Sequence, residues 1–112
     1  MMKKFYILSM LLLVGSVHGL AQNKTDRDYL RSGNKLYNDS LFIKAEVDYR
    51  KALEINPNFA QAYHERGRVK LAKGDKQGSM EDMKRAIELA PENSENISGE
   101  YNNYEQQKNI PF

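Results

Sequence analysis

The sequence predicts an all-α fold in which antiparallel helix-turn-helix repeats stack into a short solenoid. Three observations predict it. The chain repeats itself at a spacing of 34 residues: Tyr29 recurs as Tyr63, Gly33 as Gly67, Ala52 as Ala86, Leu53 as Ile87, Glu54 as Glu88 and Pro57 as Pro91. A fixed period of this size marks units that need neighbours to bury their apolar faces. Apolar or small residues also recur at helical spacing, as Phe42, Ala45, Tyr49, Ala52 and Leu53 in one copy and Ser79, Met80, Met83, Ala86 and Ile87 in the next. Finally, the connections between these stretches are short, which sets consecutive helices side by side and antiparallel.

The first 21 residues follow different rules. Met1-Met2-Lys3-Lys4 is a positive start, Phe5 to Val17 is mostly apolar, and Gly19-Leu20-Ala21 places small residues before a cut after Ala21. The run is short for a membrane span, which needs about 20 apolar residues. Residues 1–21 are therefore expected to be a signal peptide, and the mature chain a periplasmic or extracellular one. If the segment stays uncleaved, the module is tethered at a membrane instead. Lys3 and Lys4 leave with it, so 17 basic residues fall by two to match the 15 acidic ones. That balance gives no electrostatic footprint for nucleic acid or an anionic membrane. With no Cys in the chain, an exported domain of this size depends on helix packing alone.

Residues 22–25 read as a polar spacer. Helices are then expected over 26–38, 42–55, 60–73 and 76–89, grouped as units 26–59 and 60–93. Asp39-Ser40, Asn58 and Asp75 are placed as N-caps. Gly74 ends the third helix because it tolerates left-handed geometry. Pro57 and Pro91 stop the second and fourth. Gly33 and Gly67, each costing about 1 kcal/mol inside a helix, mark close approach of paired helices, with Tyr29, Tyr49 and Tyr63 filling wider gaps. The outer face is expected to carry charge pairs: Glu46 with Arg50, Asp48 with Lys51, and Glu81 with Lys84 and Arg85. Residues 94–112 are expected to form a degenerate capping helix over about 94–107, then a tail.

These residues resemble the tetratricopeptide repeat. The first copy matches its pattern at Tyr29, Gly33, Ala45, Tyr49, Ala52 and Pro57, and the second at Tyr63, Gly67, Ala86 and Pro91. The copies depart from it at Ser32 and Arg66, at Leu36 and Lys70, and at Ser79 and Met83. The resemblance implies a right-handed solenoid whose first helices line an inner groove where peptides or partner proteins dock. Carried over by register, that groove takes Arg27, Leu30, Arg31, Asn34, Tyr37 and Asn38 from the first repeat. His64, Glu65, Arg68 and Leu71 come from the second. Tyr37 and Leu71 would anchor apolar groups, the arginines a carboxylate or carbonyl, and Asn34 a peptide amide.

The sequence offers little for catalysis. His64 is the one histidine beyond the leader, and there is no Cys nucleophile, phosphate loop or nucleophile elbow. The expectation is therefore a non-enzymatic interaction module with no cofactor and no metal, binding a peptide or partner protein of unspecified identity. The alternative is a structural scaffold that self-associates into a homo-oligomer through the open end of the stack.

Overall fold

The structure is a computed structural model, and it describes residues 23–108. The expected signal peptide (1–21) and the last four residues lie outside that span. Helices α1 (Asp26–Asn38), α2 (Phe42–Ile55), α3 (Ala60–Ala72) and α4 (Lys76–Leu89) follow one another. A single 3₁₀ turn, Pro91–Asn93, then leads into α5 (Ser94–Lys108). The first four spans agree with the periodicity to within one residue. Pro57 and Pro91 stand just after α2 and α4, and Gly74, at φ 88°, closes α3.

The helix starts differ from expectation in instructive ways. Thr25 caps α1: its hydroxyl accepts from the Asp28 amide, and the Asp28 carboxylate accepts from the Thr25 amide, at 3.1 and 2.9 Å. This reciprocal box satisfies two orphan donors and makes the supposed spacer part of the fold. Foremost through the hydrogen bond from its backbone amide, Thr25 holds the Asp28 carboxyl below its ordinary pKa. Asp75 caps α4 by accepting from the Gly78 amide. Asp39 and Ser40 do not cap α2, because they are consumed in ending α1. The Ser40 amide donates to Tyr37 and the Leu41 amide to Leu36, with Ser40 at φ 60°. Leu41, without a side-chain acceptor, stands at the N-cap. Asn58 does not cap α3 either, since its amide donates to the Asn56 side chain and Phe59 takes the cap position.

Each helix pair closes around its glycine. A Cβ on Gly33 would lie 2.5 Å from the Tyr49 ring, and one on Gly67 would lie 3.0 Å from Met83 Cγ and 3.3 Å from the Ser79 carbonyl oxygen. Around these contacts run two cores. Leu30, Ala45, Tyr49, Leu53, Phe59 and Val69 belong to the first, and Leu71, Met83, Ala86 and Ile97 to the second. Tyr63 packs against both. Ile97, only 2% exposed, fixes α5 against α3 and α4.

The expected outer-face pairs are redistributed, on α2 to partners beyond that helix and on α4 largely to other residues of the same helix. Glu46 reaches across to Lys73 at 2.8 Å. Asp48 accepts from the Ser32 hydroxyl, and Lys51 lies over the Tyr29 ring. Glu81 accepts from Gln77, while Arg85 turns to Glu88 and the Tyr63 ring. One period on from Asp48, Asp82 is 4% exposed and receives Arg66 through two hydrogen bonds of 2.7 and 2.8 Å, with Lys70 at 3.0 Å. The hydrogen bond to Asp82 raises the Arg66 pKa despite burial.

Candidate functional site

The first helices α1, α3 and α5 share one side of the stack, where two adjoining concavities meet at Glu100 and Asn103. One, of about 420 Å³, is lined by Tyr37 of α1, Arg68 and Leu71 of α3, and Glu100 and Asn103 of α5, with Met83 at its base. The other runs past Gln61, His64 and Glu65 to Asn93, Glu95 and Asn96.

Arg68 is the centre of this surface. Its guanidinium lies 5.0 Å from the Tyr37 ring centroid, in reach of a cation–π interaction. Glu65, one helical turn before it, accepts a hydrogen bond at 3.1 Å, and Glu100 approaches from α5 at 3.6 Å. Burial works against the charge on Arg68, but the carboxylate of Glu65, the Tyr37 phenol and Glu100 outweigh it and raise the pKa. The result is a permanently charged planar donor, partly exposed and held by three neighbours. His64 meets the same Glu100 oxygen at 2.9 Å, so one carboxylate ties two side chains of α3 to α5.

Behind this layer the Tyr49 hydroxyl donates to the Asn34 side-chain oxygen at 2.6 Å, which fixes the Asn34 carboxamide on α1. Burial, followed by the charge of Glu65, pushes the Tyr49 phenol well above its ordinary pKa.

The ten residues placed by register separate into groups. Tyr37, Arg68, Glu65 and His64 come together on the two concavities, and Asn34 stands beside them through Tyr49. Leu30 and Leu71 are corrected to core residues at 6% and 5% exposure; Leu71 shows only an edge to the groove. Both lie on the side of the first helices that faces the second helices, a rotation that register alone does not specify. Arg27 leans over the Phe59 ring and Arg31 pairs with Asp28, so both are drawn to their own surroundings, and Asn38 is exposed at the end of α1. Sequence reasoning missed Glu100 and Asn103, whose helix was taken as a cap. Register gave no signal for Glu100, which falls one period on from Arg66, a residue turned to Asp82 rather than to the groove.

Among the described residues no group of three or more His, Cys, Asp or Glu side chains is arranged to hold a metal ion. Also among them, no helix is long and apolar enough to cross a membrane. The hydrogen-bonding groups of the groove are the Arg68 guanidinium, the Glu65 and Glu100 carboxylates, the His64 imidazole and the carboxamides of Asn96 and Asn103.

A family model described as tetratricopeptide repeat matches residues 48–81, one full period that takes in the end of α2, all of α3 and the start of α4. RNA polymerase II-associated protein 3 of Xenopus tropicalis is 43% identical over 54 residues, covering 48% of this chain and 8% of that protein. The tetratricopeptide repeat protein 36 homolog of Nematostella vectensis is 37% identical over 51 residues, covering 46% of this chain and 28% of its own length. The similarity thus spans less than a third of either relative.

Proposed function

Because this chain is a tetratricopeptide-repeat protein, we propose that it works as a non-enzymatic module that holds a peptide or partner protein in the groove between α1, α3 and α5. Repeats of this family are protein-interaction modules in general, and the finer assignment rests on one observation: Arg68 is held over Tyr37 by Glu65 and Glu100 with part of its guanidinium still open. A preorganised donor loses little side-chain freedom on binding, and Arg with Tyr is a pair common among the residues that carry interface energy. An extended segment would lay an apolar side chain beside Tyr37 and a carboxylate or backbone carbonyl on Arg68, with Asn103 in reach of its amides. No bond need be made or broken.

The test is a crosslinking pull-down with the tagged full chain, its Tyr37→Ala/Arg68→Ala variant, and Arg50→Ala on the exposed face of α2 as control. Circular dichroism checks that all three are equally helical. A partner retained by the wild type and the control but lost by the groove variant is the expected outcome. Equal capture by all three would sink the groove reading. Leu71 is left intact, because a cavity there would disturb the fold itself.

The same reading places the module outside the cytoplasm, supported by the charge, apolar run and small residues of 1–21. Intact mass of the exported protein should show Gln22 as the first residue; retention of Met1 would replace export with a membrane tether.

A further inference from the structure

On the side away from the groove, α4 and α5 leave an apolar furrow with Met83 and Ile97 along its floor and Met80, Ile87 and Tyr101 along its walls. Met80 is 52% exposed. The equivalent furrow one repeat earlier is closed: Leu53, which stands 34 residues before Ile87, is 8% exposed and packed with Phe59 and Val69. Ile87 is only partly buried, because α5 covers less of α4 than α3 covers of α2.

We propose that this furrow is a homodimer interface, and that the α4–α5 furrow of a second copy, related by a two-fold axis, fills it. The choice of occupant comes from charge. Lys84 and Glu88 stand one helical turn apart on α4 and both line the furrow. When two α4 helices meet antiparallel, Lys84 of each copy faces Glu88 of the other, so both pairs form at once. An unrelated partner would need to carry the matching pattern; a second copy carries it by construction. Glu88 already has Arg85 at 3.4 Å, with both side chains about half exposed, so its outer oxygen stays open to a cation across the axis. The exposed charges fix orientation and register, and burial of Ile87, Met80 and Tyr101 drives association.

The opposite end of the stack argues against a head-to-tail arrangement. There the Tyr29 ring lies beneath Lys24 and Lys51, at 5.7 and 5.6 Å. A furrow lined by Met and Ile finds no matching apolar surface on a ring covered by two ammonium groups. The Tyr29 ring is therefore wetted, and a two-fold contact through the α4–α5 furrow closes as a pair.

Sedimentation velocity of the full chain, across concentrations from micromolar to millimolar, reads the result. The wild type should move from monomer to dimer and no further. Lys84→Glu and Glu88→Lys should each weaken the dimer about tenfold, through two like-charge contacts apiece. The double exchange Lys84→Glu/Glu88→Lys should restore it, because a reversed pattern is again self-complementary. Ile87→Glu should abolish it, with circular dichroism reporting whether the monomer is intact. A wild type that stays monomeric throughout overturns the proposal. So does a dimer indifferent to both single reversals, a double exchange that fails to recover, or growth beyond two copies. The Tyr37→Ala/Arg68→Ala variant should dimerise as the wild type does, so failure here is separable from failure of the groove.

Discussion

Tyr49 is the side chain on which the first repeat closes, and its phenol carries a pH dependence of known sign. It is fully buried, its ring fills the space a Cβ on Gly33 would need, and its hydroxyl donates a hydrogen bond to Asn34. Burial raises its pKa in the folded chain, whereas an unfolded tyrosine ionises near pH 10. Below that value both states hold the proton and stability is unaffected. Above it the unfolded chain loses its proton first, so stability falls as pH rises until the folded phenol also ionises. Tyr49→Phe is expected to cost about 1 kcal/mol at neutral pH through the lost hydrogen bond, and to flatten the alkaline decline in urea midpoints above pH 10. An unchanged slope would show that Tyr49 ionises as freely folded as unfolded. Ser40 illustrates the opposite situation. It occupies the left-handed position that Gly74 occupies one repeat later, at a cost of about 1 kcal/mol for a residue with a Cβ. Nothing in the composition of the turn announced this, since Asp-Ser reads as a cap. The Thr25–Asp28 box could have been read, being a hydroxyl three residues before a carboxylate at the start of a periodic run.

Among the helices, the glycines divide by what surrounds them. A methyl group on Gly33 would press into the Tyr49 ring, while one on Gly99, within α5, would meet nothing within 4 Å. Gly33→Ala should therefore destabilise the chain by about 1–2 kcal/mol, overpacking outweighing the gain in helix propensity. Gly99→Ala should firm α5 by up to about 1 kcal/mol. Hydrogen exchange of α2 and α5 amides reads both, and the same sign for the two substitutions would contradict this account. The four repeat helices were legible because period, proline and glycine all agreed on their limits. Their charge partners were not, because three- and four-residue spacing describes an isolated helix, and α2 has neighbours. Lys51 over Tyr29 and Arg85 over Tyr63 recur one period apart, as do Asp48 and Asp82. The period of the charged residues thus held information that a search for apolar stripes passed over. Register carried the expected positions onto α1 and α3 but could not specify the rotation of those helices, which is why Leu30 and Leu71 belong to the core.

Taken whole, the described residues form two cores in series with no buried residue common to both. Among the described residues, the apolar side chain packed against each of them is Tyr63. Its ring is flanked by Arg66 and Arg85 at 5.5 and 6.0 Å, so it is held in place from the second repeat while it leans on the first. In a linear array the terms that decide cooperativity are those between neighbours rather than within them. With this ring in place the chain should melt in one transition. In Tyr63→Ala each repeat keeps its own glycine contact and its own caps, and Phe59, Ala62 and Val69 still join α3 to the first core, so the coupling between the halves is weakened rather than lost. The calorimetric trace should broaden or split, its van't Hoff enthalpy dropping below the calorimetric one, while far-ultraviolet helicity at low temperature changes little. A single phenol ring would then set how tightly two repeats melt together.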